Sequence, residues 1–244
     1  MKKKILNLSY DDYTGAGLAS LRFHKNLLEN NYSSYLMVNE KKSNYKNIIN
    51  INKKSNIDFF LNKFEFLFLK KRNKYAFYNK NRYLINDLSQ IPFIEKIKPQ
   101  IVIFHWVTNF INPSLLYQIK KKYKSDIYCN LIDIAPLTGG CHINWGCTNF
   151  SNDCGNCPAV SFIYKKKPVN TLSYKLNIFS NLNIKFLYTC EWMKDQLKKS
   201  AIAKSKKVFK LMLPIDENVF KPENKVIKKN PWNIKKDKRI ILFR

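Results

Sequence analysis

A chain of 244 residues with 45% hydrophobic and 14% aromatic residues can bury a substantial core, which excludes wholesale disorder. Its formal charge of +27, from 44 Lys and Arg against 17 Asp and Glu, implies a surface that attracts anions, whether nucleic acid, anionic lipid or a phosphorylated substrate, unless the lysines serve no binding purpose. The same Lys, Asn and Ile bias is what codon drift in an AT-rich genome leaves behind, so charge alone selects none of the three. No apolar run reaches the roughly 18 residues of a transmembrane helix. Met1-Lys-Lys-Lys4 resembles the start of a signal peptide, but only a short apolar stretch follows before Asp11 and Asp12. The expectation is a cytoplasmic protein.

In chain order, residues 3–9 read as a first strand, apolar and ending in polar positions. Tyr10-Asp-Asp-Tyr-Thr-Gly-Ala-Gly17 reads as a loop with two glycines, and Leu18, Leu21 and Leu28 then stripe one face of a helix over 18–29. Short strands are expected at 34–38 and 48–51. Residues 57–69 form the most hydrophobic helical pattern, with Ile57, Phe60, Leu61, Phe64, Leu67 and Phe68 on one face. Lys70, Lys71, Arg72 and Lys74 follow it directly, which makes this segment the sequence's candidate for touching an anionic membrane. Residues 100–104 are an uninterrupted apolar run, as a parallel strand covered on both faces requires. Pro113 opens a helix through Lys121, and 127–132 is another buried strand. A strand at 185–189, a helix at 192–199 and a strand at 208–213 complete the pattern. Strands alternating with helices specify an α/β, doubly wound, Rossmann-like parallel sheet over 1–213. Residues 214–237 are polar and lysine-rich and read as a linker, and 238–244 as the first strand of a further domain.

Three segments carry chemistry. The first is the loop with Gly15 and Gly17: a strand, a glycine turn and a helix start form an anion site, because glycine permits close backbone approach and positive φ and the first N–H groups of the helix point outward. The dinucleotide fingerprint is incomplete, since Leu18-Ala19-Ser20 follows. The second is His105, directly after the buried strand and before Trp106. The third, and most specific, runs from Leu131-Ile-Asp-Ile-Ala-Pro-Leu-Thr-Gly-Gly-Cys-His142 to Cys154-Gly-Asn-Cys-Pro158. Asp133 stands at the carboxyl end of an expected strand, where open α/β sheets bind ligands, and a carboxylate there can orient a sugar hydroxyl or take its proton. Thr138, Gly139 and Gly140 let the loop fold back over the strand ends as a phosphate- or substrate-binding segment. Cys141, Cys147, Cys154 and Cys157 have the spacing C-x5-C-x6-C-x2-C, with His142 adjacent. Clustered sulfurs in a cytosolic chain point to a structural zinc site or a thiol staple over the loop 134–158 more than to filler. His142 would either join the metal or face the cleft. Cys129 and Cys190 read as ordinary small thiols, and His24, on the apolar stripe of its helix, as a hydrogen-bonded core histidine.

The third segment resembles the "HDMWPFTGGCHY…C…CG.CP" signature of one branch of the family-4 (group 1) glycosyltransferases, which build bacterial surface polysaccharides. Thr14-Gly-Ala-Gly17 with Leu21-Arg-Phe-His-Lys25 is similar to that branch's glycine loop and first helix. Phe104-His-Trp-Val107 is similar to its "LHW" strand end, Cys190-Glu-Trp192 to its "S-x-W", and Leu213-Pro-Ile-Asp-Glu-Asn-Val-Phe-Lys-Pro222 to its interdomain "PID…FKP". The resemblance implies the N-terminal, acceptor-side half of a GT-B glycosyltransferase that takes a nucleotide-sugar donor and a sugar or lipid-linked acceptor. It implies no catalytic metal and catalysis by positioning and by stabilising the departing diphosphate. The +27 charge and the basic tail of the 57–69 segment add an expected peripheral position at the inner face of the membrane. Asp133 and His105 become the catalytic candidates. The resemblance further implies that a C-terminal domain, downstream or on a separate chain, holds the donor, so that residues 1–244 alone are not a competent enzyme. The chain departs from the pattern at Ile132, where the family has His, at Ala135 in place of Trp, and at Cys190 in place of Ser.

Two other readings use the same residues. A basic, zinc-stabilised nucleic-acid-binding module would explain charge and cysteines, yet the spacing supplies no zinc-finger recognition helix and the lysines are spread over the whole chain, so no nucleic-acid partner is expected. A catalytically silent remnant of a glycosyltransferase would explain Ile132.

Overall fold

The computed structural model describes residues 2–53, 83–217 and 219–221. The helix expected over 57–69 with its basic tail, most of the linker and the strand expected at 238–244 lie outside the described residues. The chain divides into two units, Met1–Pro214 and Ile215–Arg244. In the second, Val219 and Phe220 N–H close a turn on Asp216 O.

Among the described residues the first unit holds seven parallel strands: β1 (Lys4–Asp11), β2 (Ser33–Glu40), β3 (Ile48–Asn50), β4 (Ile101–Phe104), β5 (Asp126–Asn130), β6 (Lys185–Tyr188) and β7 (Val208–Lys210), in the order β3-β2-β1-β4-β5-β6-β7. Five helices are described: α1 (Gly15–Glu29), α2 (Pro92–Ile97), α3 (Pro113–Tyr123), α4 (Lys166–Ser180) and α5 (Glu191–Lys199). This is the expected Rossmann-like α/β sheet. Its alternation has a direct cause. Ile5, Ile103 and Leu187 point to one face and meet Phe23 and Leu27 of α1. Leu6, Leu8, Val102, Phe104, Cys129 and Phe186 point to the other and pack with Leu115, Leu116 and Ile119 of α3 and Leu172 and Phe179 of α4. Both faces of the central strands are covered, as parallel strands require, while β7 at the edge is exposed.

Local chemistry sets the helix ends. Asn112 caps α3 by accepting the Ser114 N–H at 3.0 Å, Pro113 fills the first position, and Lys120, Lys121 and Lys122 face the negative end of the helix dipole. α1 begins differently: the Asp11 carboxylate accepts the N–H groups of Tyr13 (3.1 Å) and Thr14 (2.9 Å), and α1 starts at Gly15. The two glycines expected in a loop are therefore helical, and neither takes a positive φ. Gly17 is needed for a different reason: a Cβ there would fall 1.9 Å from Asp11 Oδ1 and 2.8 Å from Asp11 O. Gly15 has open space where its Cβ would be.

The chain goes from β1 to β2 and β3 on one side, then returns to the other side of β1 at β4. The strand order thus reverses between β1 and β4, the switch point at which sheets of this kind leave a crevice beyond their carboxyl ends.

Candidate functional site

The segments after β4 and β5 line a cleft at the carboxyl ends of the strands, and the end of β1 braces them. Tyr10 N–H, near the end of β1, donates to Trp106 O at 2.8 Å, and the two rings meet edge to face at 5.8 Å. Trp106 reaches on to His142, with its indole N–H 3.2 Å from His142 Nδ1. The same Nδ1 lies 2.5 Å from Asp133 Oδ2. One proton must sit between the carboxylate and the imidazole at that distance, so the ring donates to Asp133 and the indole is a flanking contact. β5 ends at Asn130, earlier than expected, which places Asp133 in the bend beyond the strand. The other carboxylate oxygen of Asp133 accepts the Ala135 N–H at 2.8 Å and turns the chain into the short 3₁₀ segment Ala135–Leu137. The loop returns when Ile134 N–H bonds His142 O at 3.3 Å. Asp133 and His142, nine residues apart, become a pair because that loop closes.

α4 holds the loop from below. Lys175, buried on the same helix face as Leu172 and Phe179, donates to Ala135 O at 2.8 Å and Thr138 O at 2.9 Å. Burial pulls its ammonium down to about 8. Gly139 lies directly on α4, where a Cβ would fall 2.3 Å from Pro168 O. Thr138 Oγ1 donates to Cys141 O at 2.6 Å and accepts the Gly140 N–H at 3.2 Å, and Gly139 N–H donates to Cys154 Sγ at 3.3 Å. These expected ligand-binding groups make bonds inside the loop. A cleft of ≈ 50 Å³ remains beside it, lined by Val107, Thr108, Gly140, His142 and Lys175 among others. That volume is room for a functional group of a substrate.

His105 stands elsewhere. It is 2% exposed, on the α1 face, with Nε2 3.2 Å from Asn7 Oδ1 and Nδ1 3.0 Å from Asn130 Nδ2. A carbonyl oxygen only accepts and an amide nitrogen only donates, so the proton is on Nε2 and the ring is neutral. Burial holds it there, pushing its pKa down to about 3. The chain of bonds continues from Asn7 to Ser34 Oγ (3.0 Å) and from Ser34 to His24 Nδ1 (2.8 Å), and ends at Lys46 O, 3.0 Å from His24 Nε2. His24 is the hydrogen-bonded core histidine its position suggests, and His105 belongs to the same buried network.

Cys141, Cys147, Cys154 and Cys157 line one cavity of ≈ 20 Å³, together with Phe150 and Pro158. That is room for one water- or ion-sized occupant. All four are free thiols. At the loop's tip the Asn144 carbonyl receives the Cys147 N–H at 2.9 Å, across Trp145 and Gly146 with φ of 45° and 83°. Two successive positive φ values make a mirror-image turn, which suits glycine at the second position. Cys157 accepts hydrogen bonds from the Cys141 thiol and from the N–H groups of Ala159 and Val160, and the Cys141 bond is the leading cause that pulls its thiol down to about 7. The same bond pushes Cys141 up. Burial raises Cys154 to about 11. Among the described residues, no three His, Cys, Asp or Glu side chains are gathered as a ready metal-ligand set.

Three features of the site were not expected from the sequence: Lys175, Trp106 and the pairing of His142 with Asp133. For Lys175 the signal was present: a lysine on the apolar stripe of Leu172, Leu176 and Phe179 marks a buried ammonium with a task. No protein-family model matches the chain, and no curated protein matches it either.

Proposed function

We propose that this chain is the acceptor-side half of a GT-B glycosyltransferase, moving a sugar from a nucleotide-sugar donor to a polysaccharide or lipid-linked acceptor in bacterial surface-glycan assembly. The observation that carries this reading is the Asp133–His142 pair beside the cleft, at the carboxyl edge of a Rossmann-like sheet. The family motif it resembles has an imidazole next to the aspartate. Here position 132 is Ile, and the imidazole that meets Asp133 comes from the TGGCH loop instead. Asp133 then orients His142 and fixes which nitrogen carries the proton, and His142 presents its ring to an acceptor hydroxyl. Lys175 keeps the loop carbonyls in place beneath them.

A direct test joins a donor-binding domain of that family after Asp237 and measures transfer from nucleotide sugars. The fusion is expected to transfer, the unfused chain not to, and Asp133→Asn or His142→Asn to lower kcat about 100-fold, within the range of general acid–base effects. Restoring histidine through Ile132→His is expected to raise the rate. Ordinary transfer rates from the unfused chain, or full activity in both pair variants, would overturn the assignment.

A structural zinc belongs to the same proposal. Four sulfurs line a cavity of one ion's size, with backbone N–H groups aimed at two of them, and a zinc ion would have to draw the thiolates together, since no three are gathered as a ready ligand set among the described residues. Protein purified without chelator is expected to hold about one zinc per chain, released by Cys154→Ser with Cys157→Ser together with hydrogen-exchange protection of 134–158. Metal-free protein whose loop is equally protected would leave the cluster as packed thiols.

A further inference from the structure

Between Asp153 and Glu191 the chain contains no acidic residue. Within that stretch, Ser161-Phe-Ile-Tyr-Lys-Lys-Lys167 forms a 3₁₀ turn over Phe162–Tyr164 that leads straight into α4. Tyr164 N–H bonds Ser161 O at 3.0 Å and Lys165 N–H bonds Phe162 O at 3.2 Å, which fixes the turn's shape. Phe162 is 75% exposed and Ile163 80%, more than any other large apolar side chain among the described residues. Folding normally hides such side chains, and here both are turned outward by a hydrogen-bonded turn.

Their neighbours on either side are anchored. Tyr164 packs against Ala159 and Val160, next to Cys141, Cys147 and Cys157. Pro168 is buried against Gly139. The apolar tip therefore stands on a firm base, with Lys165 and Lys166 exposed beside it. The Lys165 ammonium lies 3.9 Å from the centre of the Phe162 ring, and the Lys167 ammonium bonds the Tyr164 hydroxyl. Apolar side chains at the point and ammonium groups around their base form the arrangement that inserts between anionic lipid head groups: the rings and branched carbons enter the acyl boundary while the cations stay at phosphate level.

We propose that residues 162–167 are a membrane contact that inserts Phe162 and Ile163 into the interface of an anionic bilayer. Charge complementarity selects this partner. A folded protein partner would need on the order of 800 Å² from each side, more than one projecting turn offers, whereas a bilayer accepts a point contact. The inference does not rest on the glycosyl-transfer reading, though it sets the start of α4, and with it the 138–142 loop, close to lipid.

The test is sedimentation of the full chain with vesicles of phosphatidylcholine alone and of equal parts phosphatidylcholine and phosphatidylglycerol. Wild type is expected to bind the anionic vesicles and largely ignore the neutral ones. Phe162→Ser with Ile163→Ser is expected to weaken anionic binding about tenfold without lowering Tm, because both side chains are exposed. Lys165→Gln with Lys166→Gln is expected to weaken it comparably at low salt, and Lys198→Gln with Lys199→Gln, an equal charge change on α5, only slightly. Unchanged anionic binding in the Phe162 and Ile163 variant would overturn the proposal. So would equal losses in the two lysine pairs, which would reduce the attraction to bulk charge. Retention of DNA by wild type that the same apolar variant abolishes would assign the tip to nucleic acid and overturn it equally.

Discussion

Gly139→Ala is expected to destabilise the fold by about 3 kcal/mol, a Tm loss of roughly 10 °C for a domain of this size. The added methyl would lie 2.3 Å from Pro168 O and 2.8 Å from Pro168 C, and both are backbone atoms that no rotamer change can move aside. Relief requires lifting the loop off α4, which stretches the Lys175 bonds to Ala135 O and Thr138 O and shifts His142 from Asp133. Two other glycines serve as internal comparisons. Gly17→Ala meets Asp11 O at 2.8 Å and is expected to be costly too, with the start of α1 disturbed. Gly15→Ala meets nothing within 4 Å in a helical position, and is expected to stabilise by about 0.5 kcal/mol. Urea denaturation of the three variants measures this. A Gly139→Ala protein as stable as wild type would mean that the loop does not rest on α4.

Acid is expected to remove about 2 kcal/mol between pH 6.5 and pH 4.5 through His105. In the native state burial keeps its pKa at about 3, with no charged group contributing. In the unfolded chain it is an ordinary histidine and takes a proton below about 6.5. Between those values the unfolded state binds the extra proton, so stability is complete above pH 6.5 and falls by about 1.4 kcal/mol per unit as the pH drops toward 3. Protonation would also put an N–H on Nδ1, directly against the Asn130 amide that now donates to it. His24, lowered by its own burial, acts in the same direction. Urea midpoints at pH 7.0 and 4.5 for wild type and His105→Gln give the answer. The variant starts less stable at neutral pH and its dependence on acid is shallower. Equal slopes would show that His105 is not the titrating group.

How far residues reveal structure differs between the sheet and the site. The runs at 100–104 and 127–132 announce buried parallel strands because covering both faces leaves no polar alternation, and the observed β4 and β5 fall inside or beside them. The helix at α4 is hidden by its own start, Lys166-Lys-Pro168-Val-Asn170, whose proline and lysines read as a break; proline is tolerated there because the first-turn N–H groups have no intrahelical acceptor. Local pattern also misplaces Gly15 and Gly17 in a loop, since it cannot register that Asp11 ends up against Gly17 and makes glycine obligatory there.

Length, alternation and apolar runs, which depend on neighbours in the chain, thus determined the α/β class and the order of the seven described strands, with α1, α3 and α5 between them. The clustering of four cysteines in one loop was equally legible from spacing. The tertiary structure alone decided which polar groups serve the cleft and which serve the core. His105 and His142 both follow expected strand or loop ends, yet the pleat turns His105 under α1 into the Asn7–Asn130 network, while the closing of 134–142 carries His142 to Asp133. It also decided that Lys175 holds Ala135 and Thr138, residues 40 and 37 positions away. Such partners are brought together by the packing of α4 against the loop, a contact between distant segments that no short-range periodicity encodes.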